Sequence, residues 1–210
     1  METSISTPEF IYFDLGRVLL TFDHEIAVRQ LATLGSVPRD KIRDVVFEGS
    51  LQAEYERGDI STEEFCRRLR AETGIKQSDA DICQAASDIF VPNQPVIEIL
   101  EELYLKQWPL GLLSNTCDAH WQWIEQQQYS FLNRLEPLVL SFRAGVAKPE
   151  SEIYEIAIER VGLLPRNIFF VDDLPANVAG AKAAGLDAVL YSTPTQLLTD
   201  LAERGINITA

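Results

Sequence analysis

At 210 residues, 46% of them hydrophobic, the chain is long enough for one large domain or a domain with an insertion, and too apolar for global disorder. Its 32 acidic against 18 basic side chains give a formal charge of −14, which argues against nucleic-acid binding and means that any phosphate site needs local cations and a metal. No apolar run approaches the ~20 residues of a membrane span.

Phe10-Ile11-Tyr12-Phe13 reads as an apolar strand ending at Asp14. From about Phe22 to about Phe90 the pattern is helical only. Asp23 is placed to cap a helix carrying Ile26, Val28, Leu31 and Leu34, which Gly35 closes. Pro38 opens the next helix at its first turn, with Ile42, Val45, Val46 and Phe47 apolar. Ser61-Thr62-Glu63-Glu64 is a capping-box start for a helix to about Glu72, followed by Gly74. A fourth helix is expected over 78–89.

After Pro92 strand and helix alternate: a helix at 95–106, strands at 110–113 and 138–140, a helix at 150–161, a strand ending at Asp172, a helix at 175–184 and a strand at 188–191. Such alternation implies an α/β fold with a mostly parallel sheet covered by helices on both faces. The first strand precedes the helical block and its partners follow it. Residues 1–21 and 92–210 are therefore expected to form the core domain, with 22–91 inserted as a helical cap over the ligand edge. Cys66, Cys83 and Cys117 are odd in number, widely spaced and without a zinc pattern, so reduced thiols in a cytoplasmic protein are expected. The polar, acidic start Met1-Glu2-Thr3-Ser4 is unlike a signal peptide.

Four segments carry candidate chemistry. Asp14 ends an apolar strand, where an open α/β sheet collects its ligands, and is a possible nucleophile. Ser114-Asn115-Thr116 follows the strand at 110–113; its hydroxyls and amide can hold phosphate oxygens or simply cap a helix. Lys148 is held rigidly before Pro149, to neutralise phosphate or to face solvent. Asp172-Asp173 follows Ile168-Phe169-Phe170-Val171, and adjacent acids repel unless a cation lies between them. Gathered with Asp14 they offer oxygen ligands for a hard cation such as Mg²⁺.

In this order the segments Phe13-Asp14-Leu15-Gly16-Arg17-Val18-Leu19, Leu113-Ser114-Asn115, Lys148-Pro149-Glu150 and Val171-Asp172-Asp173 with Asn177 resemble the haloacid dehalogenase superfamily of phosphohydrolases. The resemblance covers the whole chain. It implies a Rossmann-like core, a small helical cap, and a Mg²⁺-dependent phosphatase acting on a small phosphorylated metabolite, a sugar phosphate in the first instance. It also implies site roles: Asp14 as nucleophile forming an aspartyl-phosphate, and Ser114 with the backbone of Asn115 binding the phosphoryl group. Lys148 would stabilise its charge. Asp14, the Gly16 carbonyl, Asp172 and Asp173 would hold the metal, Asp173 more directly than Asp172.

Most family phosphatases carry a general-acid aspartate two residues after the nucleophile; here that position is Gly16. Such acids contribute roughly 10²–10⁴-fold, most for poor leaving groups. The resemblance extends to an Asp-Leu-Gly-Asn-Val subgroup that includes sugar-phosphate phosphatases, with Arg17 here where that subgroup has asparagine. Arg17 is a candidate contact for substrate phosphate or a cap carboxylate, or part of a structural ion pair. Asp23 and His24 are considered as substitute acids, with a helix cap and a surface position the expected roles; His120 and Trp121 are expected to pack. A non-catalytic phosphate-binding protein is the alternative in a different class. A 2-haloacid dehalogenase is a third reading, opposed by the paired acids.

Overall fold

The structure is a computed structural model and describes residues 7–209. β1 (Phe10–Phe13) leads into a short β2 (Leu20–Phe22). Five helices follow: α1 (His24–Gly35), α2 (Arg39–Arg43), α3 (Leu51–Arg57), α4 (Thr62–Thr73) and α5 (Asp79–Ser87). β3 (Phe90–Pro92) returns the chain to α6 (Gln94–Leu105) and β4 (Leu110–Ser114). Then come α7 (Asp118–Gln126), β5 (Leu138–Leu140), α8 (Ser141–Ala144), α9 (Ser151–Val161), β6 (Ile168–Asp172), α10 (Pro175–Ala183), β7 (Asp187–Leu190) and α11 (Pro194–Glu203).

Five strands form one parallel sheet in the order β5-β4-β1-β6-β7. Alternate residues of the central strands feed two cores. Ile11, Phe13, Leu110, Leu112, Phe169 and Val171 face α6, α7 and α11. Phe10, Tyr12, Leu113, Ile168 and Phe170 face α9 and α10. Burial on both faces explains why these strands are continuous apolar runs rather than alternating ones.

Helices α1 to α5 share a third core built on Val28, Leu31, Ile42, Tyr55, Phe65, Leu69 and Ile82, which extends onto Cys117 and Ala119 at the start of α7. The chain enters and leaves this bundle through β2 and β3, which pair antiparallel, Phe22 opposite Phe90. Asn93 fastens the return by donating its side-chain amide to Val18 O at 2.8 Å and its backbone N–H to Leu19 O at 2.9 Å.

Several local expectations are corrected. The stretch between Phe22 and Phe90 holds helices only, but it is bounded by two strands, at 20–22 and 90–92, that the pattern does not announce. The helix expected after Pro38 is broken: Pro38 is its N-cap, α2 ends at Arg43, a π-helical turn covers Asp44–Glu48, and α3 is a separate helix. Ser61 accepts from Glu64 N, but Glu64 turns its carboxylate to Arg67 and Arg68 at 2.7 Å instead of closing the box. The reciprocal capping box is at Ser78 and Asp81. Asp23 caps α1 as expected, accepting from Glu25 N.

Candidate active site

β1 has β4 on one side and β6 on the other, and each of the three ends in a residue with chemistry. Asp14 follows β1, Ser114 closes β4 and Asp172 closes β6. The carboxyl edge at such a switch of strand order is the crevice where an open α/β sheet holds ligands.

Lys148, in the loop ahead of α9, joins the three strands. Its Nζ lies 2.8 Å from Asp14 Oδ1 and 2.5 Å from Asp172 Oδ2, and donates to Leu113 O at 2.9 Å. Each ammonium hydrogen therefore has an acceptor. All three charged groups are buried. Burial alone would pull the Lys148 pKa down; Asp14 and Asp172 outweigh it and raise it. Burial pushes the Asp14 carboxyl well above the usual aspartate range, Lys148 opposes, and Asp172 adds to the rise.

Asp172 accepts from Leu174 N at 2.8 Å and from Asn177 Nδ2 at 3.0 and 3.1 Å besides Lys148. Asp173 is half-buried, with no ion pair among the described residues, and its carboxyl is raised by burial and then by Asp172. Asp14, Asp172 and Asp173 each offer an oxygen within 4.8 Å of the others. Three carboxyl groups gathered around one ammonium suit a hard divalent cation.

Beside this cluster, a cavity of about 40 Å³ separates the sheet edge from the helical bundle. Gly16, His24, Glu56, Ser114, Asn115 and His120 line it. Ser114 does not cap a helix, because α7 starts only at Asp118 with Cys117 at its N-cap. The Asn115 side chain is tied to the lysine's peptide: Nδ2 donates to Lys148 O at 2.9 Å and Oδ1 accepts from Lys148 N at 2.8 Å. Its backbone and the second Nδ2 hydrogen are left for a ligand.

Arg17 adopts a left-handed φ of 58° and is exposed, its guanidinium over the Phe22 ring at 5.5 Å. It is not among the cavity-lining residues, though its charge lowers the Asp173 carboxyl. His24 is partly buried rather than fully exposed: its ring stacks on Phe22 and Phe47, with centroids at 4.9 and 4.5 Å. Burial, then Arg17, lowers its pKa. His120 meets Phe90 edge-on and Trp121 fills the core.

Glu56 and Ser141 were not singled out by sequence. Glu56 is the penultimate residue of α3, directly before Arg57-Gly58-Asp59, which reads only as a turn. Ser141 belongs to the short helix after β5 and carries no motif.

Residues 13–185 match the model of the haloacid dehalogenase-like hydrolases. The chain is 27% identical over 184 residues to the D-ribitol-5-phosphate phosphatase of Bacteroides thetaiotaomicron, covering 84% of this chain and 88% of that protein. It is 23% identical over 179 residues to a sesquiterpene phosphatase of Aspergillus oryzae, covering 83% and 85%. A solved haloacid dehalogenase family enzyme from B. thetaiotaomicron, in complex with magnesium and inorganic phosphate, superposes with a TM-score of 0.79 at 27% identity, covering 88% of this chain and 94% of that one.

Proposed function

The chain belongs to the haloacid dehalogenase-like hydrolases, and on that premise we propose that it is a Mg²⁺-dependent phosphatase of a small phosphorylated metabolite, a sugar or polyol phosphate first. The observation that carries the reading is Lys148 Nζ between Asp14 and Asp172, with Asp173 and Ser114 beside it. Phosphoryl transfer asks for positioning and charge neutralisation, and this cluster supplies both.

Asp14 is the nucleophile. Its free oxygen attacks phosphorus, the bond to the leaving oxygen breaks, and an aspartyl-phosphate forms on Asp14. Lys148 holds the attacking carboxylate ionised and steady, and Ser114 with the Asn115 backbone receives the phosphoryl oxygens. Water then attacks phosphorus and returns Asp14 as a carboxylate. Asp14, the Gly16 carbonyl and Asp173 would hold Mg²⁺, with Asp172 anchoring the lysine behind them. When bound, that ion neutralises charge on the transferring group. Residues 22–91 act as the cap that shapes the leaving-group side of the cavity.

A panel of phosphorylated metabolites, assayed with and without Mg²⁺ and with Asp14→Asn as blank, tests this. Metal-dependent turnover that vanishes in the variant is expected. Phosphate and Mg²⁺ binding without turnover of any ester would favour a non-catalytic phosphate-binding protein, the reading that Gly16 in place of an acid keeps open.

A further inference from the structure

The missing acid at position 16 leaves a leaving oxygen with no proton from the core. Three side chains that could carry one reach the cavity beside Ser114: His24, Glu56 and His120. From its place in that cavity and its fastening to the core, we infer that Glu56, from the helical bundle, is the general acid of this enzyme. The inference rests on the phosphatase reading above.

Glu56 is held from both sides. Its carboxylate accepts from Gln52 Nε2 at 2.7 Å, one turn earlier on α3. Its backbone carbonyl lies 2.5 Å from Ser141 Oγ, which also accepts from Thr116 N at 2.9 Å and lies 3.0 Å from Thr116 O. One core hydroxyl therefore ties the Glu56 backbone to the loop that follows Ser114 and carries Asn115 and Thr116. Next in sequence, Arg57 pairs with Glu150 of the core. Gly58 then takes φ of +82° and passes so close to Phe142 that an added Cβ would lie 2.4 Å from its carbonyl oxygen. Only glycine permits both that conformation and that approach. These contacts fix where the Glu56 side chain enters the cavity.

The charged and titratable groups around Glu56 are His24 on α1, Cys117 and His120 at the start of α7, and Lys148. Burial raises the Glu56 carboxyl, with Gln52 and Lys148 opposing, so it tends to keep its proton. It has no ion pair among the described residues. Burial lowers both imidazoles, His120 to about 4, so neither offers a proton near neutrality. His24 also stacks on two rings.

The chemistry balances. As phosphorus passes from the leaving oxygen to Asp14, Glu56 gives its proton to that oxygen and the alcohol departs neutral. Glu56, now a carboxylate, takes a proton from the water that attacks the aspartyl-phosphate. Phosphate leaves, and Asp14 and Glu56 regain their starting states.

The test compares Glu56→Gln with wild type on two esters in Mg²⁺: the fastest sugar or polyol phosphate of the panel, and p-nitrophenyl phosphate, whose leaving group needs little protonation. Glutamine keeps the shape and the Gln52 contact but has no acidic proton. The ratio of kcat/KM for the alkyl ester to that for the aryl ester should fall about 100-fold, within the range for general acids. The alkaline limb of the alkyl pH–rate profile should disappear. Glu56→Asp, acidic but shorter, should recover part of the ratio. Equal losses on both esters with an unchanged pH profile would overturn the assignment and leave Glu56 a structural residue. Wild type active only on the aryl ester would overturn it too. No turnover of either ester by wild type overturns the phosphatase reading itself, and this assignment with it.

Discussion

Asn115 and Lys148 grip each other through a reciprocal pair of hydrogen bonds, Asn115 Nδ2 to Lys148 O at 2.9 Å and Lys148 N to Asn115 Oδ1 at 2.8 Å. The asparagine after Ser114 thus sets the peptide from which the buried lysine reaches Asp14. Asn115→Ala removes both bonds and leaves a buried donor and acceptor, at a cost of about 2 kcal/mol. A lysine displaced by a fraction of an ångström should lower kcat about 10–100-fold while KM changes less. Urea unfolding and steady-state kinetics check the two effects. A pure KM effect would mean that the side chain contacts substrate instead.

Without metal, Asp14 is a strained anion. Burial, then Asp172, raises its pKa above the unfolded value, so the folded chain binds a proton the unfolded chain has released. The sign is that stability falls as pH rises from the ordinary aspartate range towards neutrality. Asp14→Asn removes this cost, so at pH 8 without divalent cation the variant should be more stable than wild type by about 1–2 kcal/mol, a Tm gain of a few degrees. Mg²⁺ should raise the wild-type Tm and move the variant much less. Thermal unfolding with and without Mg²⁺ decides it. A metal-free variant that melts lower than wild type would show that the Lys148 ion pair outweighs burial.

His120 gives a second pH dependence, of opposite sign. Burial, then the charge of His24, pushes its pKa down to about 4. Between the unfolded value near 6.5 and that value, the unfolded chain takes up a proton that the folded chain refuses. Stability is therefore lost as pH falls through this window, by about 3 kcal/mol at most. His120→Gln should flatten the stability curve between pH 6.5 and 4, measured by urea titration at successive pH values. A curve as steep as that of wild type would move the effect to other groups.

What the sequence disclosed depended on how far apart the partners lie along the chain. Strands at 10–13, 110–114 and 168–172 are legible because burial on both faces makes them unbroken apolar runs. Asp14 and Asp172 are legible because they end such runs. The strands at 20–22 and 90–92 are too short for a pattern and exist only by pairing with each other. Helix α3 is set off from the π-helical turn only by Gly49 and Ser50, and Ser50 makes no side-chain cap. The fastening of Glu56 depends on Ser141, 85 positions away, and on a glycine pressed against a backbone carbonyl. No local pattern encodes such contacts.

Restoring an acid at position 16 is not a simple exchange. A Cβ added to Gly16 would lie 2.9 Å from Phe22 Cε1, and that ring is hemmed by His24, Phe90 and Arg17. Gly16→Asp alone should therefore lower activity on every ester, because the ring or the turn at Gly16 must shift. The double variant Gly16→Asp with Phe22→Ala makes room for the carboxyl. If the core site lacks only a proton donor, the double variant should hydrolyse alkyl phosphates at least tenfold faster than Gly16→Asp. It should also keep that rate when Glu56→Gln is added, since two acids in one cavity substitute for each other. Kinetics of the triple variant decide the point: collapse of alkyl turnover on adding Glu56→Gln would mean that an aspartate at position 16 cannot reach the leaving oxygen in this fold.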